Sequence, residues 1–123
     1  MENRVFLESF VDNDLSSIVM CDFNFTVVYM NKVAKEEYKS YGGESLIGTS
    51  LLSIHNPECM FKITEVVHWF SMDKDNNIMR TFYNEKKDSD LFMQAIRDKD
   101  GELIGFTERQ ERRNKENISF YQF

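Results

Sequence analysis

Near the C-terminal end, "IRDKDGELIGF" joins two alternating runs through an Asp-Lys-Asp-Gly segment. Acidic residues tolerate tight local backbone and glycine supplies positive φ, so such a segment between two strand-like runs is the strongest hairpin signal in the chain. "IMRTFYN" precedes these runs, and with "DLFMQAIRD" and "ELIGFTERQER" it predicts three consecutive antiparallel strands. The rest of the chain has to pack on that sheet.

Upstream, "SSIVMCD" and "FTVVYMN" predict two more strands around an Asp22-Phe23-Asn24 turn. Asn31 is placed to cap a short helix carrying Ala34, Tyr38 and Tyr41, which Gly42-Gly43 ends. "ESLIGTSLLSI" reads as a loop with a helical turn. In "LLSIHNPECM", Asn56 is a good N-cap, Pro57 fits the first helical position and Glu58 suits the first turn. Met60, Ile63, Val67 and Phe70 then share one buried face of a helix ending near Met72. Residues 2 to 14 predict an amphipathic helix with Phe6, Leu7, Phe10 and Val11 on one side. Strands flanking a block of helices indicate an α+β domain. Its antiparallel sheet of five strands would carry helices on one face, and the N-terminal helix could pack on the other.

At 123 residues the chain is long enough for one domain with a real core. The natural division is an N-terminal helix over 1–14, a domain over 15–112 and an aromatic tail over 113–123. A net charge of −6 argues against nucleic acid or an anionic membrane as partner. Cys21 and Cys59 form neither a metal-type spacing nor a disulfide framework. A signal peptide and a long apolar run are both missing, so the expected location is the cytoplasm. No nucleophile motif, metal cluster or phosphate-cradling glycine loop stands out, and the expectation is that the chain is not an enzyme.

"VMCDFNFTVVYMNKVA", "GGESLIGTSL" and "IRDKDGELIGF", in this order and spacing, resemble a PAS domain over about residues 15 to 112. The family's usual Asp-Ile-Thr ending is replaced by "TERQERR", and no downstream output module follows, which implies a freestanding PAS protein. The resemblance implies a sensory or interaction module. Members bind haem, flavin or small metabolites between sheet and helices, or bind nothing and serve as dimerisation surfaces.

His55 is the leading candidate residue. It sits one position before the N-cap, where an apolar staple is usual, so capping alone would not select it. A polar contact to a pocket ligand is one reading and a local backbone hydrogen bond is the plain one. By the resemblance, a His near this helix is also a candidate haem-iron ligand. His68 points roughly 120° away from the buried face at 100° per residue. Flavin photochemistry is disfavoured: the light-sensing members carry Asn-Cys-Arg-Phe-Leu-Gln, and "NPECMFKI" keeps Asn56 and Cys59 but neither the spacing nor the flanking Arg and Gln. Gln94 alone is thin support for a flavin ring. Met60, Ile63 and Val67 on the helix, with Tyr29, Met20, Met93 and Phe106 on strands, complete the candidate pocket wall. Period 2 does not say which strand set faces the helices.

Phe6 and Phe10 in the N-terminal helix, and Phe120 and Phe123 in "ISFYQF", are costly to leave in water and form the candidate interface. The expected protein is a cytoplasmic homodimeric sensor of a small ligand. The alternative is a ligand-free interaction module that binds itself or a signalling protein.

Overall fold

The structure, a computed structural model, describes residues 2–122. Its elements are α1 (Asn3–Asp12), β1 (Ser17–Asp22), β2 (Val27–Met30), α2 (Lys32–Glu37), α3 (Pro57–Met72), β3 (Ile78–Asn84), β4 (Ser89–Arg97) and β5 (Leu103–Arg112). Short 3-10 turns at Lys39–Tyr41, Gly43–Leu46 and Leu51–Ser53 link α2 to α3. The five strands form one antiparallel sheet in the order β2-β1-β5-β4-β3. The meander's last strand therefore pairs with the first strand of the chain, at the centre of the sheet.

That pairing decides the faces. Val19 on β1 lies opposite Glu108 on β5, and Glu108 lies opposite Met93 on β4. All three are buried, so this row faces the helices. Met20, one residue on, pairs with Tyr29 and Thr107 on the other face. Gly105 allows β5 to lie this close to β1, because a Cβ there would collide with the Cys21 carbonyl. Phe106 follows it into the core, with its ring edge-on to Phe25 at 5.6 Å.

The α3 helix begins as its residues dictate. The Asn56 side chain accepts from the Cys59 backbone N–H at 2.8 Å, and Pro57 occupies the first turn. Met60, Ile63, Val66, Val67 and Phe70 form its buried face. Its far end is held by a residue distant in sequence. Arg97 Nη2 donates to the carbonyl of Phe70 (2.7 Å), which the last turn leaves without a helical partner, and to those of Asp73 (3.1 Å) and Asn76 (3.1 Å) just beyond it.

The terminal segments behave differently from the domain. No residue of α1 is buried, and Phe6 and Phe10 are 61% and 74% exposed. The apolar stripe thus does not pack on the sheet. Polar bonds tether the helix instead: the Tyr29 hydroxyl donates to Asp12 at 2.6 Å, and Asn31 Nδ2 donates to the Val11 carbonyl at 3.0 Å. Burial and the Asp12 bond push the Tyr29 phenol up to about 12. In the tail, Ile118, Phe120 and Tyr121 are exposed, and Phe123 lies outside the described residues.

Arg113, just past β5, grips Asp90 with two hydrogen bonds at 2.9 and 2.8 Å and stacks over Tyr83. This holds the Asp90 carboxyl below its ordinary value, chiefly through the Arg113 hydrogen bonds. A depressed carboxyl contributes stability above its unfolded pKa and loses it as pH falls through the folded one. Arg113→Ala is therefore expected to be less stable than the natural protein at pH 7. The gap should close as pH drops below the ordinary Asp value of about 3.9. Urea melts at neutral and acid pH check this; a gap that persists or widens in acid would contradict it.

Candidate functional site

Between the first turns of α3 and strands β3 to β5 lies a cavity of about 320 Å³. His55, Glu58, Cys59, Lys62 and Ile63 line it from the helix side, and Thr81, Phe82, Leu91, Met93 and Glu108 from the sheet. A smaller space of about 150 Å³ adjoins it, bounded by Ser17, Tyr38, Asn84 and Gln110. The two share Phe82, Leu91 and Glu108 as walls. Glu108 thus stands at the junction of both.

Glu108 is the unusual residue of the site. It occupies the central strand in a row otherwise made by Val19 and Met93, and its side chain is only 4% exposed. A buried carboxylate normally demands hydrogen-bond donors. Its ion-pair neighbour among the described residues is His55, whose Nε2 lies 3.5 Å from Glu108 Oε1. That is within ion-pair range but makes no hydrogen bond, so both atoms are buried without a hydrogen-bond partner. His55 reaches this position because it precedes the Asn56 cap, so that its ring, 16% exposed, turns toward the sheet.

The surrounding electrostatics lean negative. Glu58 and Glu108 face a single lysine, Lys62, whose Nζ donates to the Thr81 carbonyl at 3.3 Å and sits 5.4 Å over the Phe82 ring. Burial, then the charge of Glu108, pushes the Tyr38 phenol up, and the same two causes in the same order raise the Cys21 thiol. Both groups stay neutral beside it.

Of the residues expected at the pocket, His55, Ile63 and Met93 meet at this cavity. Met60, Val67 and Phe106 are buried core on the correct faces but do not line it. Met20 and Tyr29 are corrected: they pair with each other on the far face, where Tyr29 holds α1. His68 is exposed, as its helical angle implies. Glu58, Lys62, Thr81, Phe82, Leu91 and Glu108 also line the cavity, and no local sequence signal marks them as pocket residues.

The residues do not fit haem. The His55 nitrogen that would ligate iron faces a carboxylate 3.5 Å away. A cavity of about 320 Å³ is also at the small end for drug-sized ligands, roughly 300–1,000 Å³. Flavin fits no better: Gln94 is exposed and in register with Thr107, on the face away from the cavity. Cys59 lines the cavity but is an exposed free thiol. Among the described residues no group of three or more His, Cys, Asp or Glu is arranged to hold a metal ion.

No protein-family model matches the sequence, and no curated protein matches it. Solved structures do match. A PAS domain from Colwellia psychrerythraea superposes with a TM-score of 0.67 at 15% identity, covering 90% of this chain and 97% of that one. A sensory box sensor histidine kinase from Vibrio cholerae gives 0.56 at 13% identity, covering 88% and 90%. An RNA-binding light-oxygen-voltage receptor gives 0.60 at 13% identity, covering 88% of this chain and 32% of its own. The strand order, the helical layer on one sheet face and these superpositions together identify the chain's fold as that of the PAS domain.

Proposed function

We propose that this chain is a sensory module whose signal is a small organic molecule held between α3 and the sheet. One observation carries the reading: a buried carboxyl group on the central strand, with an oxygen lacking any hydrogen bond, opens on a cavity of about 320 Å³. A merely structural core would fill that space and pair that group. The sensory class is supported by the fold shared with a PAS domain and a sensory box kinase. Among the described residues no helix is long and apolar enough to cross a membrane, and the cytoplasm is the proposed location.

Native mass spectrometry of freshly purified protein, with a thermal-shift screen of small metabolites, tests the reading. The expected result is an adduct or a stabilising ligand whose effect disappears in Ile63→Trp, a substitution that fills the cavity from its helical wall. Absence of any adduct and any stabilising compound would overturn it in favour of a ligand-free interaction module.

The module acts as a homodimer in this reading, with α1 as the contact and a partner protein receiving the signal. The support is the unburied stripe of α1, where Phe6 and Phe10 stand in water. The double substitution Phe6→Glu with Phe10→Glu is expected to give a monomer by analytical ultracentrifugation. Its melting temperature at high dilution should stay near that of the natural protein, because neither ring packs on the domain. A dimer surviving the double substitution would remove α1 from the interface.

A further inference from the structure

We propose that the ligand is an organic amine, its protonated nitrogen seated between Glu108 and His55 and its apolar body against Phe82, Leu91 and Met93. The inference rests on the small-ligand reading above and adds the chemical class.

Two buried atoms, Glu108 Oε1 and His55 Nε2, lie 3.5 Å apart and neither has a hydrogen-bond partner. In the proposed complex the His55 ring carries its proton on Nδ1, so Nε2 accepts alongside Glu108 Oε1 and the site offers no donor of its own between them. What it lacks is one group with at least two N–H bonds. A primary ammonium supplies three, and its positive charge complements a carboxylate in a medium where charge-assisted bonds are strongest. An alcohol brings one O–H and satisfies only one of the two acceptors. A carboxylate brings none and meets Glu108 and Glu58 as like charges. The one lysine at the cavity donates to the Thr81 carbonyl at 3.3 Å and makes no hydrogen bond to Glu108 Oε1 or His55 Nε2. The walls agree with this polarity. Phe82 borders both spaces and Tyr38 borders the smaller one, and aromatic faces favour cations. Leu91, Met93 and Ile63 supply apolar surface for a hydrocarbon or aryl body.

Isothermal titration of arylalkylamines of graded chain length, against the matching alcohols and carboxylates, tests the assignment on the full chain. The best amine is expected to bind roughly tenfold or more tightly than its alcohol, with the carboxylate weakest. In Glu108→Gln, which keeps size and an acceptor but removes the charge, that preference should collapse while alcohol binding stays within about twofold. Circular dichroism confirms that the variant is folded. An alcohol or carboxylate matching the amine would overturn the amine assignment and leave the small-ligand reading standing. Failure of the whole series also overturns the assignment; the adduct and thermal-shift result then separately decides whether any small ligand binds.

Discussion

Replacing Glu108 by methionine is expected to make the unliganded protein more stable, by about 1–2 kcal/mol, the low end of the roughly 1–4 kcal/mol seen when whole buried ion pairs give way to apolar residues of similar volume. The neighbours favour the change. In register, Glu108 lies between Val19 and Met93, both apolar and at most 3% exposed, and methionine fills irregular space without demanding a hydrogen bond. The substitution removes a carboxylate whose Oε1 has no donor, together with its desolvation cost. It also takes from His55 Nε2 its ion-pair neighbour at 3.5 Å, which offsets part of the gain and keeps the expectation at the low end of the range. Urea unfolding should show a higher midpoint with an unchanged slope. A variant less stable than the natural protein would mean that the carboxyl is integral to the core rather than reserved for a ligand. The same substitution should abolish the preference for amines. Together the two outcomes describe a site that costs stability in the empty protein and recovers it by mass action when a ligand binds.

The strand and helix plan was legible because its signals are local. The Asp-Lys-Asp-Gly turn predicts a hairpin, and Asp98 Oδ1 indeed accepts from the backbone N–H groups of Asp100 and Glu102. Asn56 and Pro57 announce α3, which starts at Pro57. Glu108 was not legible, since "TERQER" is polar on both alternating sets and neither announces itself as inward. Only pairing with β1, nearly ninety residues earlier, places Glu108 beside Val19. The same missing register explains Met20 and Tyr29, plausible apolar strand residues whose parity sends them to the other face. His55 was legible for the opposite reason: the position before an N-cap has a strong apolar expectation, and a histidine violates it. Arg97 could not be read as the clamp on α3, because its acceptors are backbone carbonyls more than twenty residues away.

Asn31 is where a local signal understated the structure, and its removal carries the largest expected loss of stability. As a cap its worth is about 1 kcal/mol, and its Oδ1 does accept from the Ala34 N–H at 3.0 Å. The same oxygen also accepts from the Ile18 N–H of β1 at 3.0 Å, while Nδ2 donates to the Val11 and Ser16 carbonyls at 3.0 and 2.8 Å. One fully buried amide therefore joins α1, β1 and α2. Asn31→Ala strips four hydrogen bonds, each worth roughly 1 kcal/mol net, and strands partners that water reaches poorly, for an expected loss of about 3–5 kcal/mol. Asn31→Asp separates bonding from shape. It keeps the acceptor and the volume but turns Nδ2 into an oxygen facing two carbonyls, so it should destabilise at least as much as alanine at neutral pH and recover partly in acid. Denaturant melts measure the loss, and hydrogen exchange should show α1 opening first, since among the described residues the other side-chain hydrogen bond holding it to the sheet is that of Tyr29 to Asp12. An aspartate variant as stable as the natural protein would show that packing, not the donated bonds, holds this junction. If α1 is the dimer contact, Asn31 couples that contact to the sheet that holds Glu108, and either substitution should weaken the dimer while Phe6 and Phe10 remain untouched.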